Sequence, residues 1–234
     1  MLEIKKLLVK QGTFTLTADL SIDFGDKVAI VGPSGGGKST LLLTIAGFIE
    51  PVSGSIYLNR ESFDNKTPSE IPCTMLFQDN NLFPHLNVSE NVGLGLKPSL
   101  RLDRSERQLV MEALRKMNLE TKASSQVSQL SGGQISRVAI ARSLLQKKPL
   151  LLLDEPFAAL GPAQRLKMIN HVAAFQRSYN SILLMVTHNP YEAKLIANKV
   201  IFIEEGSVSK PQKIESFFEE PAVNVQSYLG QGFF

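Results

Sequence analysis

Two hydrophobic periods alternate along the chain. In "FTLTADLSI" (14–22) apolar side chains fall at every second position, Phe14, Leu16, Ala18, Leu20 and Ile22, which predicts a strand with one buried face. "KVAIV" (27–31) is a short continuous apolar run, the pattern of a strand covered on both faces. Similar runs recur at "CTMLF" (73–77), "PLLLL" (149–153) and "SILLMV" (181–186). Helical stretches separate most of them. One is "KSTLLLTIAGF"; another is "SERQLVMEALRKMNL", with Leu109, Val110, Ala113, Leu114 and Met117 on one face. This alternation predicts an α/β fold, a parallel sheet with helices on both faces. Residues 79–146 break it. They are helix-like and loop-like without a buried strand, and we expect a helical insertion into the core. From Glu204 onward the sequence holds one strand-like and one helical piece, too short for a further domain.

Composition bounds the picture. The chain has 234 residues, 43% of them hydrophobic, enough to bury a sizeable core in one large domain or one domain with an insert. A net charge of +3, without a clustered basic face, predicts no nucleic-acid partner. The single cysteine, Cys73, excludes an intramolecular disulfide, and its apolar surroundings predict a buried thiol. The start, "MLEIKKLLVK", mixes charge throughout, so no signal peptide is expected. No run reaches the roughly 18 apolar residues that a membrane span needs. The expected chain is cytosolic, or held at a membrane through another protein.

The chemistry concentrates in three stretches. "GPSGGGKST" comprises Gly32, Pro33, Ser34, Gly35, Gly36, Gly37, Lys38, Ser39 and Thr40, and matches GxxxxGK[ST] between a buried strand and an apolar helix. Glycines let the backbone turn tightly enough to aim N–H groups at phosphate oxygens, and the helix adds its positive end. Lys38 is expected to reach the β- and γ-phosphates, and Ser39 to hold Mg²⁺. A chance glycine-rich turn does not explain the strand–loop–helix order. The leucines of "LLLLDEP" deliver Asp154 and Glu155 to the carboxyl end of a central strand, where ligands of such sheets sit. Asp154 reads as a Mg²⁺ partner through water, and Glu155 as the general base for an attacking water. "LSGGQ" opens a further helix, with Ser131 at its N-cap and Gly132 and Gly133 leaving the first N–H groups uncovered: a second anion-binding helix end.

With the glycine-rich loop, then "LSGGQ", then "LLLLDEP" along the chain, the sequence resembles the ATP-binding subunits of ATP-binding-cassette (ABC) transporters, over essentially its whole length. Gln78 in "LFQDN" matches the family's Q-loop position and His188 in "LLMVTHN" its switch-histidine position. His188 ends an apolar run and precedes a helix start, with Asn189 at the N-cap, Pro190 at N1 and Glu192 at N3 for a capping box. The resemblance implies a P-loop NTPase core with a parallel sheet, an N-terminal antiparallel β subdomain and a helical insertion. It implies one ABC ATPase domain over 1–234, with 1–78 and 147–234 as core and 79–146 as the signature subdomain. It implies ATP and Mg²⁺ as cofactors, with Ser39, Gln78 and Asp154 around the metal. Glu155, His188 and Gln78 would be catalytic. Two copies would pair head to tail, each ATP lying between one chain's P-loop and Ser131, Gly132, Gly133 and Gln134 of the other. Further implied partners are an integral-membrane permease and, indirectly, a periplasmic solute-binding protein. The implied place is the cytoplasmic face of the bacterial inner membrane, peripherally bound.

A finer resemblance rests on "SEIPCTMLFQDNNLFPHLNVSENVGLGLKP" and "LLTIAGFIEPVSGSI", which look like the ATP-binding subunit of bacterial thiamine importers. Importers of other solutes, such as polyamines or iron, and non-transport ABC ATPases of DNA repair or translation are the alternatives. Long coiled-coil or zinc-hook insertions and tandem cassettes, expected of the latter, are not present in the sequence. Leu82, Phe83 and Leu86 either form a small interaction patch for a permease helix or pack inward. Two positions depart from the family. Where relatives stack adenine on an aromatic, this chain offers Gln11, with Phe14 the nearest ring. After "DEPFAAL", where relatives carry aspartate, stands Gly161, followed by Pro162.

Overall fold

The computed structural model describes residues 1–229. Its elements, in order, are β1 (Leu2–Gln11), β2 (Phe14–Ile22), β3 (Lys27–Val31), α1 (Lys38–Ile45), β4 (Ser53–Leu58), β5 (Glu61–Ser62), β6 (Cys73–Leu76), α2 (Val88–Gly93), α3 (Arg104–Lys116) and α4 (Gly132–Leu145). They continue as β7 (Leu150–Asp154), α5 (Pro162–Tyr179), β8 (Ile182–Val186), α6 (Pro190–Ile196), β9 (Lys199–Glu204), β10 (Ser207–Val208), β11 (Gln212–Lys213), α7 (Ile214–Glu219) and α8 (Val223–Leu229). Two compact units result. One holds Met1–Cys73, Pro149–Asp154 and the described residues from Asn180 on; the other holds Thr74–Lys148 and Glu155–Tyr179.

The first unit is a sheet in the order β5-β4-β1-β2-β10-β9-β3-β8-β7. β9, β3, β8 and β7 run parallel. Every residue of β7 and β8 is buried, as their unbroken Leu/Ile/Val runs require. β1 pairs antiparallel with β2 and β4. β2 buries Leu16, Ala18, Leu20 and Ile22, the period-two face read from the sequence, while Phe14 is only half-buried. Helices α6, α7 and α8 supply Ala193, Ile214, Phe217, Phe218 and Val225 to a cluster with Ala29 and Val31 of β3 and Val200 and Phe202 of β9. Asp26, just before β3, ties that strand to β9. Its carboxylate accepts from Lys199 Nζ at 2.7 Å, Asn198 Nδ2 at 2.9 Å and the Asp23 N–H at 3.0 Å. Burial pushes this carboxyl up, but the bonds from Lys199, Asn198 and Asp23 and the ammonium charge outweigh it and hold it below the ordinary carboxylate value.

The second unit is helical. α3 starts with a capping box between Asp103 and Glu106 and ends on Arg115 and Lys116, the polarity that a helix dipole favours. Val110, Leu114 and Met117 of its apolar face are buried. Leu109 and Ala113 stay half-exposed at the edge of the stripe. α4 buries Val138, Ala139, Ile140 and Ala141, and packs on α2, α3 and α5.

The expectation of a buried Cys73 is corrected. β6 alternates, with Thr74 and Leu76 buried and Cys73 and Met75 half-buried, so only one of its faces is covered and the thiol lies on the other.

Candidate functional site

The site is assembled from strand ends. Ile30 of β3 is level with Val186 of β8, and Val186 with Asp154 of β7. The segments that follow these parallel strands therefore leave the sheet at the same edge. β3 runs into the glycine-rich loop 32–37, β7 ends in Asp154, and β8 runs through Thr187 to His188.

The loop wraps the start of α1. Gly37 caps that helix with φ 110°, no side-chain cap bond and no acidic residue in the first turn. The backbone N–H groups of Lys38, Ser39 and Thr40 thus meet no capping side chain, and the helix end presents them with its positive dipole. Lys38 is buried, and its Nζ donates to the carbonyls of Gly32 (2.9 Å) and Pro33 (2.8 Å), which holds the ammonium inside the loop's curve. Ser34 and Gly35 form the exposed lip, Pro33, Ser39 and Thr40 are half-buried, and Gly32, Gly36 and Gly37 are buried. Such a cradle has the chemistry that suits a polyphosphate: donors from the backbone, one point charge, and a hydroxyl at Ser39.

Asp154 is buried at the end of β7. Glu155, the next residue, is half-buried with φ 48°. A non-glycine residue in the left-handed region costs about 1–3 kcal/mol and is tolerated where the surroundings enforce it, as functional sites do. Among the described residues no group of three or more His, Cys, Asp or Glu could cage a metal ion. Oxygen donors from Ser39 and Asp154 do suit Mg²⁺, which keeps several waters and takes the rest of its shell from phosphates.

His188 is exposed, and the residue before it fixes its backbone. Thr187 Oγ1 accepts from the Asn189 N–H at 3.0 Å and donates to the buried Glu192 carboxylate. Asn189 caps α6 by accepting from the Tyr191 N–H, with Pro190 in the first turn. The expected capping box from Glu192 does not form. Thr187 stands between the carboxylate and the cap N–H and relays the bond.

In the helical unit, Ser131 caps α4. Its Oγ accepts from the Gln134 N–H at 3.4 Å while Gln134 Oε1 accepts from the Ser131 N–H at 2.8 Å. This box uses the Ser131 and Gln134 amides and leaves those of Gly132 and Gly133 outside it. Ser131 and Gly132 are exposed. Gln78 is exposed beyond the end of β6, and Phe83 is 45% exposed, with its ring edge-on to His85. Leu82 and Leu86 are half-buried, so the outward patch consists mainly of Phe83.

Sequence reading passed over Gly206. Its N–H donates to Gly36 O of the loop at 3.1 Å, and its carbonyl accepts from the Thr17 N–H at 2.8 Å. A Cβ there would stand 1.8 Å from Thr15 O, so the β9–β10 turn can lock loop and β2 together only with glycine. "EEG" between two strand-like pieces was the available signal. Phe14 lies against Gly37, which places its ring beside the cradle, while Gln11 is exposed at the end of β1.

Known proteins resemble this chain in sequence and in fold. The family model described as ABC transporter matches residues 16–158. The chain is 44% identical over 230 residues to a thiamine import ATP-binding protein, ThiQ, of Cereibacter sphaeroides, covering 98% of this chain and 100% of that one. It is equally 44% identical to the ThiQ of Aliivibrio fischeri, covering 98% of each. Among solved structures it resembles the ATP-binding cassette MJ0796, in a dimeric post-hydrolysis state bound to ADP and Pi. The TM-score is 0.82 at 30% identity, over 92% of this chain and 99% of that one.

Proposed function

The chain belongs to the ABC transporter family and is an ATPase, and from that premise we propose that it is the ATP-hydrolysing subunit of a bacterial thiamine importer. The observation that carries the solute is the 44% identity to thiamine import ATP-binding proteins over nearly the whole of both chains. The chemistry is read from the cradle and the strand ends. Gly32, Pro33, Ser34, Gly35, Gly36, Gly37, Lys38, Ser39 and Thr40 bind the phosphates of ATP, and Phe14 offers its ring to the nucleotide. Ser39 and Asp154, with Gln78, would hold Mg²⁺, which neutralises charge on the β- and γ-phosphate oxygens when bound. Glu155 takes the proton of the attacking water, and its left-handed backbone turns the chain at the end of β7. His188 donates to the γ-phosphate as charge develops there, held by the Thr187–Asn189–Glu192 bonds.

The exposed N-terminus of α4 supports a composite site: Ser131, Gly132, Gly133 and Gln134 meet the γ-phosphate of ATP on a second copy of the chain. The MJ0796 cassette structures are described as dimeric. The stretch from Gln78 to Leu86, with Phe83 outward, is read as the contact with an integral-membrane permease. No helix among the described residues is long and apolar enough to cross a membrane. The place that fits is the cytoplasmic face of the inner membrane, reached through the permease, with a periplasmic binding protein acting on its far side. Uptake of labelled thiamine in a strain lacking the gene, complemented by the wild type or by Glu155→Gln, tests the reading. Uptake that persists without the gene sinks it.

A further inference from the structure

The loop that carries Gln78 is fastened to the far end of the signature helix. Arg142 lies in the last turn of α4, and its guanidinium donates to two successive carbonyls, Asn80 O (2.9 Å) and Asn81 O (2.8 Å). Both asparagines sit in the left-handed region, φ 62° and φ 43°, a conformation that turns the chain sharply just after Gln78. A second tie reaches the stem of the loop: Thr74 Oγ1 on β6 donates to Gln146 Oε1, the residue that ends α4, at 3.0 Å. A third holds the next segment. Asn91 of α2, fully buried, accepts from the Phe83 N–H and donates to the carbonyls of Phe83, Leu86 and Asn87.

α4 therefore carries a different functional element at each end. Its first residues are the signature, and its last turn grips the Gln78 loop. Its 14 residues make a rod about 21 Å long at about 1.5 Å per residue. Its middle is buried, which resists bending. Arg142 is suited to the grip because a planar guanidinium offers paired donors in fixed geometry, which a lysine ammonium does not. Burial disfavours its charge, so the two carbonyl dipoles stabilise it where it is.

We infer that Arg142 is a positioning residue that couples the Gln78 loop to the signature at the other end of α4, so that a permease pressing on the loop shifts the signature. The inference rests on the reading of the Gln78–Leu86 stretch as the permease contact. Allosteric coupling terms of this kind correspond to about 5- to 150-fold in an equilibrium.

The test uses Arg142→Lys, which keeps the charge and stem but loses the paired donors, in the chain alone and reconstituted with its permease in lipid vesicles. In the chain alone, hydrogen exchange at residues 78–83 should quicken about tenfold while the amides of α4 keep wild-type protection. The stimulation by permease should fall about tenfold, beyond whatever fall in basal ATPase rate the loosened Gln78 loop brings. Gln146→Ala, removing the stem tie, should move the same readouts less. Wild-type stimulation in Arg142→Lys would overturn the inference, as would basal and stimulated rates falling in parallel with the melting temperature. A wild-type chain that no permease stimulates would overturn the permease reading instead.

Discussion

The ring of Phe14 occupies the space that a side chain on Gly37 would need. A Cβ built on Gly37 stands 2.8 Å from Phe14 Cζ and 2.9 Å from Leu16 Cδ1, and the residue's φ is 110°. The phosphate loop is thus wedged between α1, whose cap Gly37 is, and the aromatic end of β2. Gly37→Ala should combine left-handed strain of about 1–3 kcal/mol with overpacking of similar size. The expected outcome is a melting temperature lower by several degrees and loss of ATP binding, read by thermal unfolding with and without nucleotide. Phe14→Ala, which opens the floor instead, should keep the fold and weaken ATP binding.

That contact also marks where sequence reading stopped. The unbroken runs of β3, β7 and β8 were legible because a strand buried on both faces must be apolar throughout. The glycine-rich loop and its strand–loop–helix setting were equally legible. Contacts between segments distant in sequence were not. Phe14 read only as the nearest aromatic, and sequence reading singled out neither Gly206 nor Arg142. Each gains its role from a backbone group far along the chain: Gly37, Gly36 and Asn80. Cys73 was misjudged because an apolar neighbourhood in sequence does not say which face of β6 is covered. Glu192 was misjudged because the rule for capping boxes does not see a competing hydroxyl at Thr187.

Acid should loosen the tie between β3 and β9. The Asp26 carboxyl is held below its unfolded value of about 3.9, so it adds stability that is complete above that value. The contribution is lost as pH falls through the lower, folded value. Asp26→Asn should cost about 1–3 kcal/mol near pH 7, because Lys199 loses a charged partner. The difference between wild type and Asp26→Asn should shrink below about pH 4. Equal melting-temperature differences at pH 7 and pH 3 would contradict this.

Glu155→Gln is isosteric, so it should fold as the wild type does and still bind ATP. Loss of a general base should lower the rate of phosphate release by about 10²- to 10⁴-fold. Nucleotide affinity measured alongside separates the chemical step from binding: a variant that also fails to bind ATP would assign Glu155 to the cradle rather than to the water.

Phe83→Asp places a charge at the most outward apolar position of the stretch after Gln78. Asn91 holds the backbone of residue 83 whatever its side chain, so the helical unit should keep its stability. Co-purification of the permease and solute uptake should both drop, while ATP hydrolysis by the chain alone stays at its wild-type level. Unchanged assembly and uptake would return Phe83 to the class of incidental surface residues.

Gly161 is the position where this chain lacks the carboxylate that the family resemblance leads one to expect. The structure makes the missing side chain easy to restore. Gly161 is exposed, its φ is not positive, and nothing lies within 4 Å of a Cβ built on it. Its carbonyl accepts the Arg165 N–H at 2.9 Å, the first turn of α5, so it stands at that helix's N-cap. Glycine and aspartate are both favourable there and differ by only a few tenths of a kcal/mol, with aspartate the better because a carboxylate meets the positive helix end. Gly161→Asp should therefore leave the melting temperature unchanged or raise it slightly. A Cβ here touches nothing in its own chain and the helix end accounts for only a few tenths of a kcal/mol, so a larger effect is expected from a second copy of the chain. If the composite site operates, a carboxylate here should alter the dependence of ATPase rate on ATP concentration, raising the Hill coefficient in the assembled transporter. A rate curve that superimposes on the wild type, in a variant of equal stability, would mean that the two nucleotide sites communicate without this position.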